Sequence, residues 1–266
     1  MDLQGRVVVV TGAARGIGAA LARRLAAEGA AGVVVSDVDL AGAEAVAASI
    51  TAAGGDATAV PADVSRQEDV RALVAATRDR YGPVDLFCSN AGVAFGTGIH
   101  ASGQQWATSW AVNVMQHVYA AQCVVPDMIR RGGGHLLITA SAAGLLGAPG
   151  DVPYTVTKHA VVGLAEWLAV TYRARGIGIS ALCPLGVRTA LLEPGIAAGH
   201  PTALAIAAAA PLISPEEVAE STVHGLRAGD FLILPHESVR KRYAEKAADV
   251  DAWIDQTISD SMMGGG

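Results

Sequence analysis

Arg6-Val7-Val8-Val9-Val10-Thr11-Gly12-Ala13-Ala14-Arg15-Gly16-Ile17-Gly18 is the stretch on which the fold turns. Arg6 to Thr11 is a β-branched run without polar alternation, so both of its faces are expected to be covered. Three glycines follow at once, and Ile17, Leu21 and Leu25 then recur at helical spacing until Gly29. Strand, glycine turn and helix together form a unit with a physical purpose. The turn lets backbone approach a pyrophosphate closely, and the helix N-terminus offers unpaired N–H groups and a positive dipole end.

A glycine-rich turn alone is a weak sign, and an acidic residue closing the next strand strengthens it. Asp37 stands there, 19 positions past Gly18 and just after the strand expected at Val33 to Ser36. A carboxylate at that place accepts hydrogen bonds from adenosine ribose hydroxyls and repels a 2′-phosphate, which favours NAD over NADP. Arg15, a cation inside the turn, is the competing hint for NADP. Asp37 also reads as a plain turn residue before a helix at Leu40.

Working outward, strand-like and helix-like stretches alternate along the chain. Helices are expected at Leu40 to Ala53, Arg66 to Tyr81, Ser102 to Arg130, Tyr154 to Arg175, Pro215 to Arg227 and Glu237 to Ile258. Between them the apolar runs Ala57 to Pro61, Val84 to Ser89, His135 to Ala140, Ile177 to Cys183 and Phe231 to Leu234 read as strands. Repeated βα units imply a doubly wound, Rossmann-type parallel sheet of about seven strands with right-handed crossovers and helices on both faces. The 266 residues allow one large domain or two small ones, and the absence of any Pro/Gly/Ser-rich linker favours one, over residues 1–263. Residues 190–213 look irregular, with Gly195 and Gly199 suggesting a mobile substrate-covering lid; a packing helix is the alternative. Residues 264–266 read as a flexible tail.

Composition excludes other classes. Hydrophobic residues make up 52% but aromatics only 5%, and charged residues 17% against a typical ~25%, so Ala, Val, Leu and 31 Gly carry the apolar content. Such a chain buries ample apolar surface and is not disordered. The apolar stretch Thr202 to Ile213 is too short for a membrane span, and the opening residues, with Asp2 and no basic region before a long apolar run, are not expected to act as a secretory signal. Cys88, Cys123 and Cys183 show no C-x-x-C spacing and are expected to be reduced thiols in the cytoplasm, without a metal. A net charge of −6 with scattered Lys and Arg argues against nucleic acid.

The sequence resembles the short-chain dehydrogenase/reductase family in its compact single-domain form. The resemblance rests on Thr11-Gly12-x-x-x-Gly16-x-Gly18, Asp63-Val64, Asn90-Ala91-Gly92, Asn113, Ser141, and Tyr154-x-x-x-Lys158 placed 13 residues after Ser141. These elements run in order over residues 6 to 189, and the ordered set is specific where each alone is not. It implies cofactor contacts at Gly12, Arg15, Gly16, Ile17, Gly18, Asp37, Asp63, Val64, Asn90, Ala91, Gly92, Tyr154, Lys158, Pro184, Val187 and Thr189. It also implies that Asn113 orders a water for proton relay, and that the protein is a homotetramer or dimer. One departure is Leu185, where the family commonly has glycine in P-G-x-V-x-T; Leu185 is expected to narrow the nicotinamide-side pocket.

The chemistry of this set follows from the residues. Tyr154 and Lys158 are four apart and share a helix face. A free tyrosine titrates near ~10, and a nearby ammonium, with the positive charge of oxidised nicotinamide, favours the phenolate. Tyr154 then takes the alcohol proton as hydride leaves, and Ser141 holds the substrate oxygen. His159 is expected to pack or to face solvent rather than carry protons, and His117, four residues past Asn113, to pack or make a subunit contact. Phe95, Ala143, Leu185, Leu191 and Leu192, with Leu145, Leu146, Ile196 and Leu204 nearby, suggest an apolar pocket for a hydrophobic secondary alcohol or ketone. The alternative from another class is a non-catalytic dinucleotide-binding protein, which would not need Ser141, Tyr154 and Lys158.

Overall fold

In the computed structural model, which describes residues 1–147 and 150–263, seven parallel strands form one sheet in the order β3-β2-β1-β4-β5-β6-β7. The strands are β1 (Val7–Thr11), β2 (Gly32–Asp37), β3 (Ala57–Pro61), β4 (Leu86–Ser89), β5 (Gly134–Thr139), β6 (Ile177–Leu182) and β7 (Leu232–Ile233). The first half is wound by α1 (Gly16–Ala27), α2 (Leu40–Ala52) and α3 (Gln67–Tyr81). The second half carries α4 (Gly103–Trp110), α5 (Gln116–Arg131), α6 (Ala143–Leu146), α7 (Val152–Tyr172), α8 (Glu193–Ala197), α9 (Pro201–Ala209), α10 (Pro215–Ala228), α11 (Glu237–Ala248) and α12 (Val250–Met263).

Two cores, one on each face of the sheet, explain the uninterrupted apolar strands. Val8 and Val10 point to one face with Leu21 and Leu25 of α1, Val46 and Ile50 of α2, and Val218 and Leu226 of α10. Val9 points to the other, with Leu73 of α3, Val124 and Met128 of α5, and Val161 and Leu168 of α7. Adjacent residues of β1 thus serve opposite cores, as the two-residue repeat of a strand dictates.

Four details depart from the sequence reading. Residues 190–213 are not irregular: α8 and α9 occupy most of the segment, and Ile213 pairs in parallel with Val187. The helix expected from Ser102 to Arg130 is interrupted by a π turn at Ala111–Met115. The final helix is two, α11 and α12, because Asp249 takes an extended backbone (φ −154°, ψ 103°). The helix bearing Tyr154 starts at Val152, two residues early, because Asp151 caps it. The tail at 264–266 lies outside the described residues.

Candidate active site

Strand order reverses between β1 and β4, and the residues singled out in sequence collect at the C-terminal ends of the strands around that point. Gly12 and Gly16 hold φ of +62° and +55°, a region that disfavours side chains. A Cβ on Gly12 would stand 2.6 Å from Ala91 Cα, and one on Gly16 3.3 Å from Thr189 Cγ2. Gly18 packs on the Gly12 carbonyl and on Asn90 Nδ2. The turn therefore meets both the Asn90-Ala91-Gly92 segment and Thr189. No side chain caps α1, so its first-turn N–H groups look outward for partners, a cradle that fits a pyrophosphate.

Asn90 ties this cradle together. Its Nδ2 donates to Thr11 O (3.0 Å), its backbone N–H donates to Thr11 Oγ1 (2.9 Å), and its Oδ1 accepts from Thr139 Oγ1 (3.0 Å). Asp37 Oδ2 accepts from Ala14 N (3.0 Å) and Oδ1 from Asp39 N (3.0 Å), so this carboxylate both secures the glycine turn and starts the turn into α2. Arg15 is exposed, while Ile17 is half-buried against the core. Asp63 Oδ1 accepts from Ser65 N (2.9 Å) and Oγ (2.6 Å), and Val64 is buried in the core. Val187 is buried, and the Pro184 carbonyl accepts from Ala142 N (2.9 Å).

The structure brings Asn113, Ser141, Tyr154 and Lys158 to one place. Lys158 Nζ donates to Thr139 O (2.8 Å) and lies 5.5 Å from the Tyr154 ring centre. Ser141 faces the Tyr154 phenol closely enough to lower its pKa, and Ser141 Oγ accepts from Ala143 N (3.1 Å) and donates to Pro184 O (3.5 Å). A Cβ on the exposed Gly92 would stand 3.5 Å from Asn113 Oδ1 and 3.8 Å from Lys158 Nζ, which places both side chains beside the backbone expected to meet the cofactor. Asn113 lies in the π turn, fully buried. Its Oδ1 accepts from Val93 N (2.9 Å), and its Nδ2 donates to Val93 O (2.9 Å) and Thr157 Oγ1 (3.2 Å).

Burial dominates the electrostatics of this site. It pushes the Tyr154 phenol above its ordinary range; nearby Ser141 opposes this, while Asp151 and Cys183 add to it. Burial likewise holds Lys158 down to about 8. The protein's own groups thus keep the phenol protonated, and its ionisation calls for a further positive charge beside it. His117 is fully buried, with Nδ1 2.7 Å from Ser89 Oγ, and burial together with Lys158 keeps it neutral. His159 faces solvent with Nδ1 2.9 Å from Thr155 O.

Of the expected pocket residues, Phe95 and Leu191 are exposed, Leu192 is half-buried and Ala143 is buried. Leu185 is half-buried and packs on the core, and its N–H donates to His236 Nδ1 (3.3 Å). Thr139, Asp151 and His236 received no role from the sequence. Asp151 had a readable signal, an acidic residue two positions before a proline at a helix start. Thr139 and His236 had none, since each is brought in by the sheet or by the far C-terminal segment. A hollow of about 530 Å³ at the opposite end of the strands, lined by Arg6, Asp85, Arg131 and Arg173, contains none of the residues above.

Comparison with known proteins accords with this geometry. Residues 6–197 match the short chain dehydrogenase family. The chain is 35% identical over 257 residues to 1-deoxy-11-beta-hydroxypentalenate dehydrogenase of Streptomyces exfoliatus, covering 94% of this chain and 90% of that protein. It is 38% identical over 196 residues to 2,5-dichloro-2,5-cyclohexadiene-1,4-diol dehydrogenase of Sphingobium indicum, covering 72% of this chain and 76% of the relative. The crystal structure of a short chain dehydrogenase/reductase from Burkholderia phymatum in complex with NAD superimposes with a TM-score of 0.85 at 31% identity, covering 95% and 96% of the two chains. With a Rossmann-like sheet, a dinucleotide cradle at its switch point and relatives of this kind along its length, the chain belongs to the short chain dehydrogenase family of nicotinamide-dependent oxidoreductases.

Proposed function

We propose that the protein oxidises a hydrophobic secondary alcohol with NAD, or reduces the corresponding ketone, with Tyr154 as general acid/base. The observation that carries this reading is the gathering of Ser141, Tyr154 and buried Lys158, with Lys158 Nζ 5.5 Å from the Tyr154 ring centre and 3.8 Å from where a Cβ on Gly92 would stand. Gly12, Arg15, Gly16, Ile17, Gly18, Asp37, Asp63, Val64, Asn90, Ala91, Gly92, Pro184, Val187 and Thr189 hold the cofactor. When bound, oxidised nicotinamide accepts the hydride and supplies the positive charge that favours the phenolate. Ser141 orients the substrate oxygen, and Tyr154 Oη takes its proton. Lys158 binds the nicotinamide ribose hydroxyls and passes the proton toward solvent past Asn113.

Asp37 supports NAD over NADP, because its carboxylate stands at the end of β2 beside the glycine turn, where a 2′-phosphate would meet like charge. Phe95, Ala143, Leu185, Leu191 and Leu192 line an apolar pocket, and residues 190–213 act as its lid. The cyclohexadiene diol in one relative's name supports a ring alcohol. The other name denotes a hydroxylated carboxylate, so one hydroxy acid belongs in any substrate panel. Exposed Trp110, Trp167 and Val170 support a homotetramer or dimer, which sedimentation would measure. The free thiols of Cys88, Cys123 and Cys183 support a cytoplasmic setting.

The test is NADH formation at 340 nm from a panel of alicyclic and aryl secondary alcohols. Tyr154→Phe is expected to lose ~10³-fold or more in turnover while binding NADH with wild-type affinity. Wild-type turnover in that variant would refute the assigned base. Asp37→Ala is expected to gain NADP binding by about tenfold relative to NAD, and an unchanged ratio would remove Asp37 as the selector.

A further inference from the structure

Helix N-caps in this molecule normally do one job. Ser102 and Ser214 each take a backbone N–H of their own helix, and so does Asp39. Asp151 does more. Its carboxylate is buried, 5% exposed, and both oxygens are engaged. Oδ1 accepts from Tyr154 N (3.0 Å), the cap of α7, while Oδ2 accepts from Phe95 N (2.8 Å) and Gly96 N (2.7 Å). Next to it, Val152 N donates to Thr97 O (3.1 Å). Segment 93–98, which leads from Gly92 toward α4, is thereby stitched onto the first turn of the helix that carries Tyr154 and Lys158.

The proposed lid rests on this same seam. The His200 ring lies where a Cβ on Gly96 would be, with Cε1 2.9 Å from that position. The Thr202 side chain fills the corresponding space at Gly150. The start of α9 therefore touches the chain on either side of the Asp151 carboxylate. A hydroxyl suffices to cap a helix. A buried carboxylate with three N–H donors on two segments is what a clamp requires, since an anion in that environment is stable only when fully hydrogen-bonded.

We propose that Asp151 is a positioning residue that clamps the pocket wall at Phe95 and Gly96 to the Tyr154 helix, so that wall, phenol and lid seat keep one geometry. This rests on the reading that Tyr154 is the acid/base and that Phe95 faces substrate. The carboxylate also stands among the groups that hold the phenol up; Cys183 of the β6 end acts in the same direction, Ser141 after β5 opposes it, and Lys158 lies below the ring.

The test compares wild type with Asp151→Ser, which keeps a cap for Tyr154 N but cannot also hold Phe95 and Gly96. Amide hydrogen exchange over residues 93–98 is measured on the protein without substrate, and kinetics with NAD and 1-phenylethanol or cyclohexanol. In the serine variant, exchange at Phe95 and Gly96 is expected to accelerate at least tenfold. KM for the alcohol rises about tenfold with KM for NAD within twofold, and the rising limb of kcat/KM against pH moves to lower pH. Wild-type exchange, KM and pH limb in that variant would reduce Asp151 to an ordinary cap and overturn the proposal. Rapid exchange at Phe95 and Gly96 in the wild type would overturn it too. If the serine variant does not fold, Asp151→Asn, isosteric and uncharged, carries the same comparison. Failure of the wild type to oxidise either alcohol counts against the substrate reading, while the exchange measurement still decides the clamp.

Discussion

The glycine turn at residues 11–18 and the Ala-rich segment at 190–213 both border the proposed site, yet they are specified in opposite ways. In the turn two of the glycines are forced by a neighbouring atom: Gly12 by Ala91 Cα at 2.6 Å, and Gly18 by the Gly12 carbonyl and Asn90 Nδ2 at 2.7 Å. In α9 only Ala203 is buried, and Leu204 points to solvent. Backbone packed on backbone has one solution, whereas a helix of small residues with a single buried position has many. The contrast matches two tasks, since a cofactor's pyrophosphate has one shape and substrates vary.

The sharpest way to break this contrast is Gly18→Ala. A methyl group there meets backbone on one side and Asn90 on the other, so the variant is expected to lose about 3 kcal/mol or more in urea unfolding and to lose NADH binding. Near-wild-type stability would mean that the turn is not overdetermined at all.

Lys158→Met probes the border between the two regions. It abolishes the proposed proton path but removes a buried ammonium held down to about 8, so thermal stability at pH 7 is expected to rise by about 1 kcal/mol after the loss of the bond to Thr139 O. The sign with pH is specific. Between about 8 and the ordinary lysine value of 10.5 the unfolded chain binds more protons at this site than the folded one. The Lys158 contribution to stability therefore improves as pH rises through that window, and the variant's advantage over wild type shrinks across it. A constant difference from pH 7 to 10 would exclude the burial effect.

The smallest effect belongs to the lid. Leu191 is 53% exposed, so Leu191→Ser is expected to change stability by no more than ~0.5 kcal/mol, while raising KM for an apolar alcohol about two- to fivefold. A large stability loss would show that 190–213 is specified as tightly as the glycine turn.

Much of the fold was legible because long-range burial leaves a local trace. Val7 to Val10 serve two cores at once and so cannot alternate with polar residues. Helix faces such as Val70, Leu73 and Thr77 bury every third or fourth side chain. Misreadings fell where that trace is missing. Nothing in Ala111–Met115 announces a π turn, because the turn answers to Asn113 hydrogen-bonding Val93 and Thr157. The uniform alanines of α9 give no periodic signal. The burial that Tyr154 and Lys158 share, which acts on the phenol and the ammonium in opposite directions, likewise leaves no trace in the sequence.

By itself the chain of residues determined the βα alternation, the glycine cradle and the identity of the groups around Tyr154, because period, turn chemistry and side-chain type are local properties. Only the tertiary structure decided what those groups feel and what holds them. Desolvation depends on everything packed around a side chain, and Asp151 reaches Phe95 and Gly96 across more than fifty residues. That contact exists only because parallel strands deliver both segments to the same end of the sheet.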